Sequence, residues 1–205
     1  MKRFEISLLL AVIFCSLLSF ISFENECEDI RSSVLRMHVL ANSDSDRDQM
    51  LKLLVRDRLL EISDDIFDGC DSYEEALDAA LDSAGLMADA AAEVLRENGC
   101  SDEVSVCIGK SYFSTRTYGS VTLPAGIYEA VQVKLGSARG HNWWCVMFPA
   151  VCLPCFSQEE ELETVLSDGQ LTIVSSDGYE LKFRCVELYE EFLEHLRIKS
   201  GEAEA

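Results

Sequence analysis

His141-Asn142-Trp143-Trp144-Cys145-Val146-Met147-Phe148-Pro149 is the stretch around which the chain is organised. Both tryptophans of the protein stand there side by side, ahead of a short apolar run. Cys145, Cys152 and Cys155 lie in it or just after it. In an extended strand neighbouring side chains point to opposite faces. Trp143 and Cys145 therefore share one face, and Trp144 and Val146 share the other. A strand with large rings on both sides needs cover on both sides, or it presents one ring to a partner.

Working outward, Gly136-Ser137-Ala138-Arg139-Gly140 reads as a hairpin loop delivering the chain to that strand from another, Tyr128 to Leu135. Pro124-Ala125-Gly126 makes a turn before it. Val104, Val106 and Ile108 alternate with Ser105 and Cys107 as a further strand. Upstream, Leu35, Met37 and Val39 alternate with Arg36 and His38, which predicts a strand with one buried face and a polar face carrying His38. The break Asn42-Ser43-Asp44-Ser45-Asp46 ends it and opens a helix, with Ser45 as cap and Asp46 and Asp48 in the first turn. Leu51, Leu54, Val55, Leu59 and Ile62 repeat at helical spacing. Arg58 interrupts that stripe and must reach the edge or an acid. A second helix starts at the capping box Ser72-Tyr73-Glu74-Glu75, runs along Leu77, Ala80, Ala84, Ala88, Ala91 and Leu95, and stops at Asn98-Gly99. Downstream, Leu171 to Val174 with Ser176-Asp177-Gly178 reads as a hairpin. Leu181 to Leu188 reads as a strand running into a terminal helix that reaches about Ile198. One strand, two helices, then several strands predict an α+β fold: an antiparallel sheet with the two main helices packed on one face, plus an N-terminal apolar leader and a C-terminal helix.

The leader occupies residues 1–23, an acidic tether residues 24–30, a single domain residues 31–198 and a flexible tail residues 199–205. Lys2 and Arg3 precede an uncharged run from Ile6 to Phe23. Its length falls between a cleaved signal and a membrane anchor, and both readings stand; in either case the bulk of the chain is exported. The net charge is −20. Phosphate backbones and anionic lipid heads repel such a domain, which argues against nucleic acid and against membrane binding other than through the leader. Of the 9 cysteines, Cys15 lies in the leader. Export permits the remainder to form disulfides, while packing as small apolar thiols is the alternative.

The chemistry-bearing groups point away from catalysis. His141 and Cys145 are a candidate nucleophile pair for an exported cysteine-dependent hydrolase. Four positions apart on a strand, however, they stand roughly 13 Å from each other. His141, Cys145, Cys152 and Cys155 have partial zinc-like spacing but no second close pair, and Cys152-Leu153-Pro154-Cys155 lacks thioredoxin-like surroundings. Asn42, Asp44, Asp46 and Asp48 resemble part of a calcium loop without its glycine and its downstream glutamate; helix capping accounts for them. No metal or cofactor is expected. A bridge between Cys145 and Cys152 is expected, stapling the strand to the turn after Pro149.

The chain resembles the stage II sporulation protein R family of endospore-forming bacteria. The residues that carry the likeness are His38-Val39-Leu40-Ala41-Asn42-Ser43-Asp44-Ser45, with Asp48-Gln49, Leu51-Lys52 and Val55-Arg56-Asp57 behind them. Thr117-Tyr118-Gly119, Pro124-Ala125-Gly126 with Tyr128-Glu129-Ala130, and His141 to Pro149 ending at Cys152 follow. Lys182-Phe183 with Val186-Glu187 completes the likeness, which covers roughly Arg31 to Ile198. Cys70, Cys100, Cys107, Cys155 and Arg58 depart from the family pattern. The resemblance implies a non-enzymatic signal, made in the forespore and exported, or tethered by its anchor, into the space between two septal membranes. There it would activate a membrane-embedded aspartic protease of the mother cell that processes the pro-form of sigma-E. Candidate partner contacts are Tyr118, Trp143, Trp144, Asn42, Asp44, Arg56 and Asp57.

Overall fold

A computed structural model describes residues 2–118, 121–149, 166–175 and 180–200. Its main sheet has the order β2-β5-β1-β6, formed by β1 (Leu35–Leu40), β2 (Val104–Phe113), β5 (Gly126–Leu135) and β6 (Asn142–Phe148). A separate hairpin pairs β3 (Arg116–Tyr118) with β4 (Val121–Leu123). The α+β class expected from the sequence is the class observed. Within the sheet, β2–β5 and β1–β6 are antiparallel, whereas β1 and β5 run parallel.

That parallel pair corrects the reading of Gly136 to Gly140 as a hairpin loop. β5 and β6 are not neighbours; β1 lies between them. Strands are spaced about 4.8 Å apart, so crossing one strand takes roughly 10 Å, within reach of a short loop. The loop passes over the end of β1 and bonds to it, with Gly140 N donating to Ala41 O (2.9 Å) and Arg139 N to Asn42 O (3.2 Å).

Helices α2 (Asp46–Ile66), α3 (Tyr73–Asp82) and α4 (Ala84–Glu97) cover one face of the sheet. Leu51, Val55, Leu59, Ala80, Met87 and Leu95 pack there on Met37, Val39, Val131, Val133 and Cys145. Ser45 caps α2 by accepting from Asp48 N (3.1 Å) and Ser72 caps α3 by accepting from Glu75 N (3.3 Å). Glu75 in turn accepts from Asp71 N (2.8 Å), closing the box one residue earlier than the sequence pattern implies. The expected second helix is broken at Ser83, where serine and the nearby Gly85 are weak helix formers. Arg58 reaches the helix edge and pairs with Glu61 at 2.7 Å.

The opposite face is covered as well. Helix α1 (Lys2–Ser32) runs unbroken from the apolar leader through residues 24–30, so the expected tether is helix. Its Phe23, Cys27 and Ile30 are buried against Tyr128, Ala130 and Val146. Helices α5 (Asp168–Ser175) and α6 (Glu180–Ser200) add Ile173, Val174, Phe183 and Val186 to the same core. α5 replaces the expected hairpin strand at Leu171 to Val174, and α6 is the expected terminal helix, extended back over Leu181 to Leu188, which read as a strand. In α5, Ser167 and Gln170 form a reciprocal cap, Ser167 N donating to Gln170 Oε1 (2.8 Å) and Gln170 N to Ser167 Oγ (3.5 Å); this local start signal and the burial of Ile173 and Val174 outweigh their β-branched preference. In α6 the buried Phe183, Val186 and Glu190 follow helical spacing. Ser176 to Gly178 and the tail from residue 201 lie outside the described residues.

Cover on both faces overturns the one-sided reading of β1. Arg36 is completely buried and His38 nearly so. A strand enclosed from both sides has no polar face.

Candidate functional site

Register places the Trp-Trp strand directly on β1: Met37 faces Cys145, His38 faces Trp144 and Val39 faces Trp143. Alternation then sends the two rings to opposite sides. Trp143 turns to the α2 layer, where the Arg56 guanidinium lies 4.3 Å from its ring centroid. Asp57 pairs with that same arginine at 2.5 Å. Trp144 turns to the other side and stacks on His38, with centroids 3.8 Å apart and planes 14° apart. Phe113 meets Trp144 edge-on at 4.7 Å.

Arg36 ties this second side together. Its Nε donates to Cys145 O (3.2 Å) and its Nη2 to the Tyr118 hydroxyl (2.6 Å). Its guanidinium lies 4.2 Å from the Phe113 centroid and 4.9 Å from that of Tyr128. Aromatic faces and a carbonyl thus replace water around the cation, a partial offset to the cost of burying it. The Tyr118 hydroxyl donates onward to Trp144 O (3.4 Å).

At the end of β1 the polar run Asn42 to Asp48 meets the loop that precedes β6. Asn42 Oδ1 accepts from Ser137 N (2.8 Å), and Ser137 Oγ donates to Asn42 O (2.8 Å). Asp44 Oδ1 is bonded at 2.6 Å by both the backbone amide and Nδ1 of His141. The backbone bond is the largest of the causes that hold the Asp44 carboxyl below its ordinary range, followed by the bond from the His141 ring. Lys52 donates to His141 O (3.0 Å); its own burial pushes its ammonium below the ordinary lysine range. Gly140 is required at this junction, because a Cβ there would stand 2.3 Å from Ser43 O.

Beside the junction opens a cleft of about 450 Å³ lined by Asp44, Arg116, Arg139, His141, Asn142 and Trp144. The Arg116 guanidinium lies 5.9 Å from the Trp144 centroid. Of the residues expected to meet a partner, Asp44 and Trp144 line this cleft, Asn42 buttresses its loop and Tyr118 supports Trp144 from beneath. Trp143, Arg56 and Asp57 form a separate cluster on the α2 side. Arg36, Arg116 and Arg139 are not among the residues expected from the sequence to form the site; an arginine alternating with apolar residues at Arg36 is the local signal for the first of them.

The proposed Cys–His pair is not assembled. His141 is exposed and bonded to Asp44, while Cys145 is buried in the α2-side core. Cys27, Cys70, Cys100, Cys107 and Cys185 are free thiols, as is Cys15 in the leader. The expected bridge ends on Cys152, which lies outside the described residues, as does Cys155. Among the described residues no group of three or more His, Cys, Asp or Glu side chains is placed to hold a metal. Asp44 and Asp48 of the calcium-like run are engaged instead by His141, Asn42 and Ser43.

The Phe4–Ser32 segment is long and apolar enough to cross a membrane. Fold and site therefore define an α+β domain behind an N-terminal helix compatible with a signal sequence or an anchor, with a cationic and aromatic cleft at one end of its sheet. The chain belongs to the stage II sporulation protein R family, whose model matches residues 31–158. It is 38% identical over 141 residues to stage II sporulation protein R of Bacillus subtilis (strain 168). The alignment covers 68% of this chain and 62% of that relative's length. No solved structure matches the chain.

Proposed function

We propose that this sporulation protein is an exported intercellular signal that activates a membrane-embedded aspartic protease, which then processes the pro-form of sigma-E. In this reading it is made in the forespore and delivered to the space between the septal membranes. It is either released there or held by α1. Its action is binding without bond chemistry.

One observation carries the reading beyond family membership. Residues that bear the family resemblance come from distant stretches, at Asp44 and at His141, Asn142 and Trp144, and they line one surface cleft, with the Tyr118 hydroxyl bonded to Trp144 O behind it. Convergence of this kind suits a binding surface more than a scaffold, because a scaffold needs only the buried faces. An activator works by binding the active state of its target more tightly. Moving a 1:99 equilibrium to 99:1 takes roughly 10⁴-fold discrimination, about 5.5 kcal/mol. A few aromatic and arginine anchors supply energies of that order.

The test is co-expression with the candidate protease and its substrate in a non-sporulating cell. Shortened factor should appear only when this chain is present. In the sporulating host, Trp144→Ala should abolish processing while the protein still accumulates. Processing in the absence of the chain, or none in its presence, would sink the proposal.

A further inference from the structure

The chain is strongly acidic, with 37 acidic against 17 basic side chains. Its described arginines are mostly neutralised: Arg31, Arg56, Arg58, Arg96 and Arg184 each pair with a carboxylate. Arg47 donates to the carbonyls of Asn98 and Gly99. Arg116 and Arg139 differ. They come from the β3 hairpin and from the loop before β6, both are exposed, and both line the cleft beside Trp144. Among the described residues neither has an ion-pair partner. Asp44 is the carboxylate in the lining, and it is already bonded twice by His141. The group missing from this arrangement is a carboxylate supplied from outside.

We propose that the cleft between Arg116, Arg139 and Trp144 binds a carboxylate of a short acidic peptide segment on the protein partner. This rests on the reading of the cleft as the contact surface. A guanidinium holds a carboxylate through two parallel N–H bonds, a geometry that lysine cannot reproduce. The Trp144 ring provides an apolar platform for the stem of the same residue. The overall negative charge favours a narrow ligand over an extended polyanion. A duplex or an anionic bilayer meets the field of the whole acidic surface. A single side chain entering a cleft sees chiefly charges within the screening length, about 8 Å at physiological ionic strength.

The full chain in non-ionic detergent is titrated with acetyl-tetraglutamate amide, following tryptophan emission and, separately, the heat of binding. Binding should be saturable, with acetyl-tetralysine amide inert. Arg116→Gln with Arg139→Gln should weaken it by about tenfold or more. Arg116→Lys with Arg139→Lys should weaken it less, and salt near 1 M, where screening shortens to about 3 Å, should abolish it. Because both arginines are exposed, the variants should keep the near-ultraviolet dichroism of the parent. Absence of saturable binding, equal affinity in the double glutamine variant, or equal competition by inorganic phosphate would overturn the assignment. Lost peptide binding with factor processing intact would remove this inference and leave the signalling proposal standing. Peptide binding without processing would do the reverse.

Discussion

His38 and Trp144 face each other across the β1–β6 pair and stack with 3.8 Å between ring centroids. The stack joins the central strand to the cleft and makes it sensitive to protonation. Burial is the main cause that lowers the His38 imidazole from 6.5 to about 4. Between those values the unfolded chain binds a proton that the folded chain excludes. Stability should therefore be complete above about pH 6.5 and fall as the pH drops towards 4, by roughly 3 kcal/mol across the window. Denaturant midpoints of the parent and of His38→Phe, compared at about pH 7 and about pH 5, isolate this contribution from that of the carboxylates. Identical pH slopes for the two proteins would refute it.

Arg36 is predicted to be the most sensitive polar position in the sheet. Arg36→Ala removes the donors to Cys145 O and the Tyr118 hydroxyl and leaves a void beside Phe113 and Tyr128. The expected loss is about 3–5 kcal/mol. Arg36→Met refills the volume and should lose about half as much. Equilibrium unfolding measures both, and an alanine variant within about 0.5 kcal/mol of the parent would contradict the buried-cation account.

At Gly140 an added Cβ meets the Ser43 carbonyl oxygen at 2.3 Å and its carbon at 2.5 Å. Backbone on both sides must move to admit it. Gly140→Ala should cost about 1–3 kcal/mol and separate His141 from Asp44. The His141 ring resonances in an NMR spectrum report that separation directly. Unshifted resonances would show the junction to be more pliant than its geometry implies.

Truncation should distinguish leader from core within one helix. Removing residues 1–22 leaves Phe23, Cys27 and Ile30 in place and should yield a folded domain. Removing residues 1–32 strips those three buried side chains and also Arg31, which bonds to Ala125 O at 2.9 Å. At roughly 1.5–3 kcal/mol per apolar side chain, the loss approaches the whole stability of an ordinary domain. Cooperative melting of the shorter fragment, followed by circular dichroism, would show that α1 is dispensable.

The Cys145–Cys152 bridge is open to a direct check. Peptide mapping without reduction should recover the two cysteines in one linked fragment. A link from Cys145 to Cys155, or unlinked peptides, would rule that pairing out.

Much of the scaffold was readable from local pattern. Alternation in His141 to Phe148 assigned Trp143 and Trp144 to opposite faces, and Ser45 and Ser72 announced the starts of α2 and α3, because strand period and capping bonds act within a few residues. The likeness carried by the motif residues marked Asn42, Asp44, Tyr118 and Trp144 before their positions were known. Local pattern did not disclose that α1 and α6 enclose the second face of the sheet, which turned Arg36 and His38 from surface residues into core. Nor did it disclose that β1 lies between β5 and β6, the insertion that brings Asp44 to His141 and opens the cleft beside Arg116 and Arg139. Burial and strand order depend on contacts between residues far apart in the chain. Those contacts form only when the layers pack, so they belong to the tertiary structure alone.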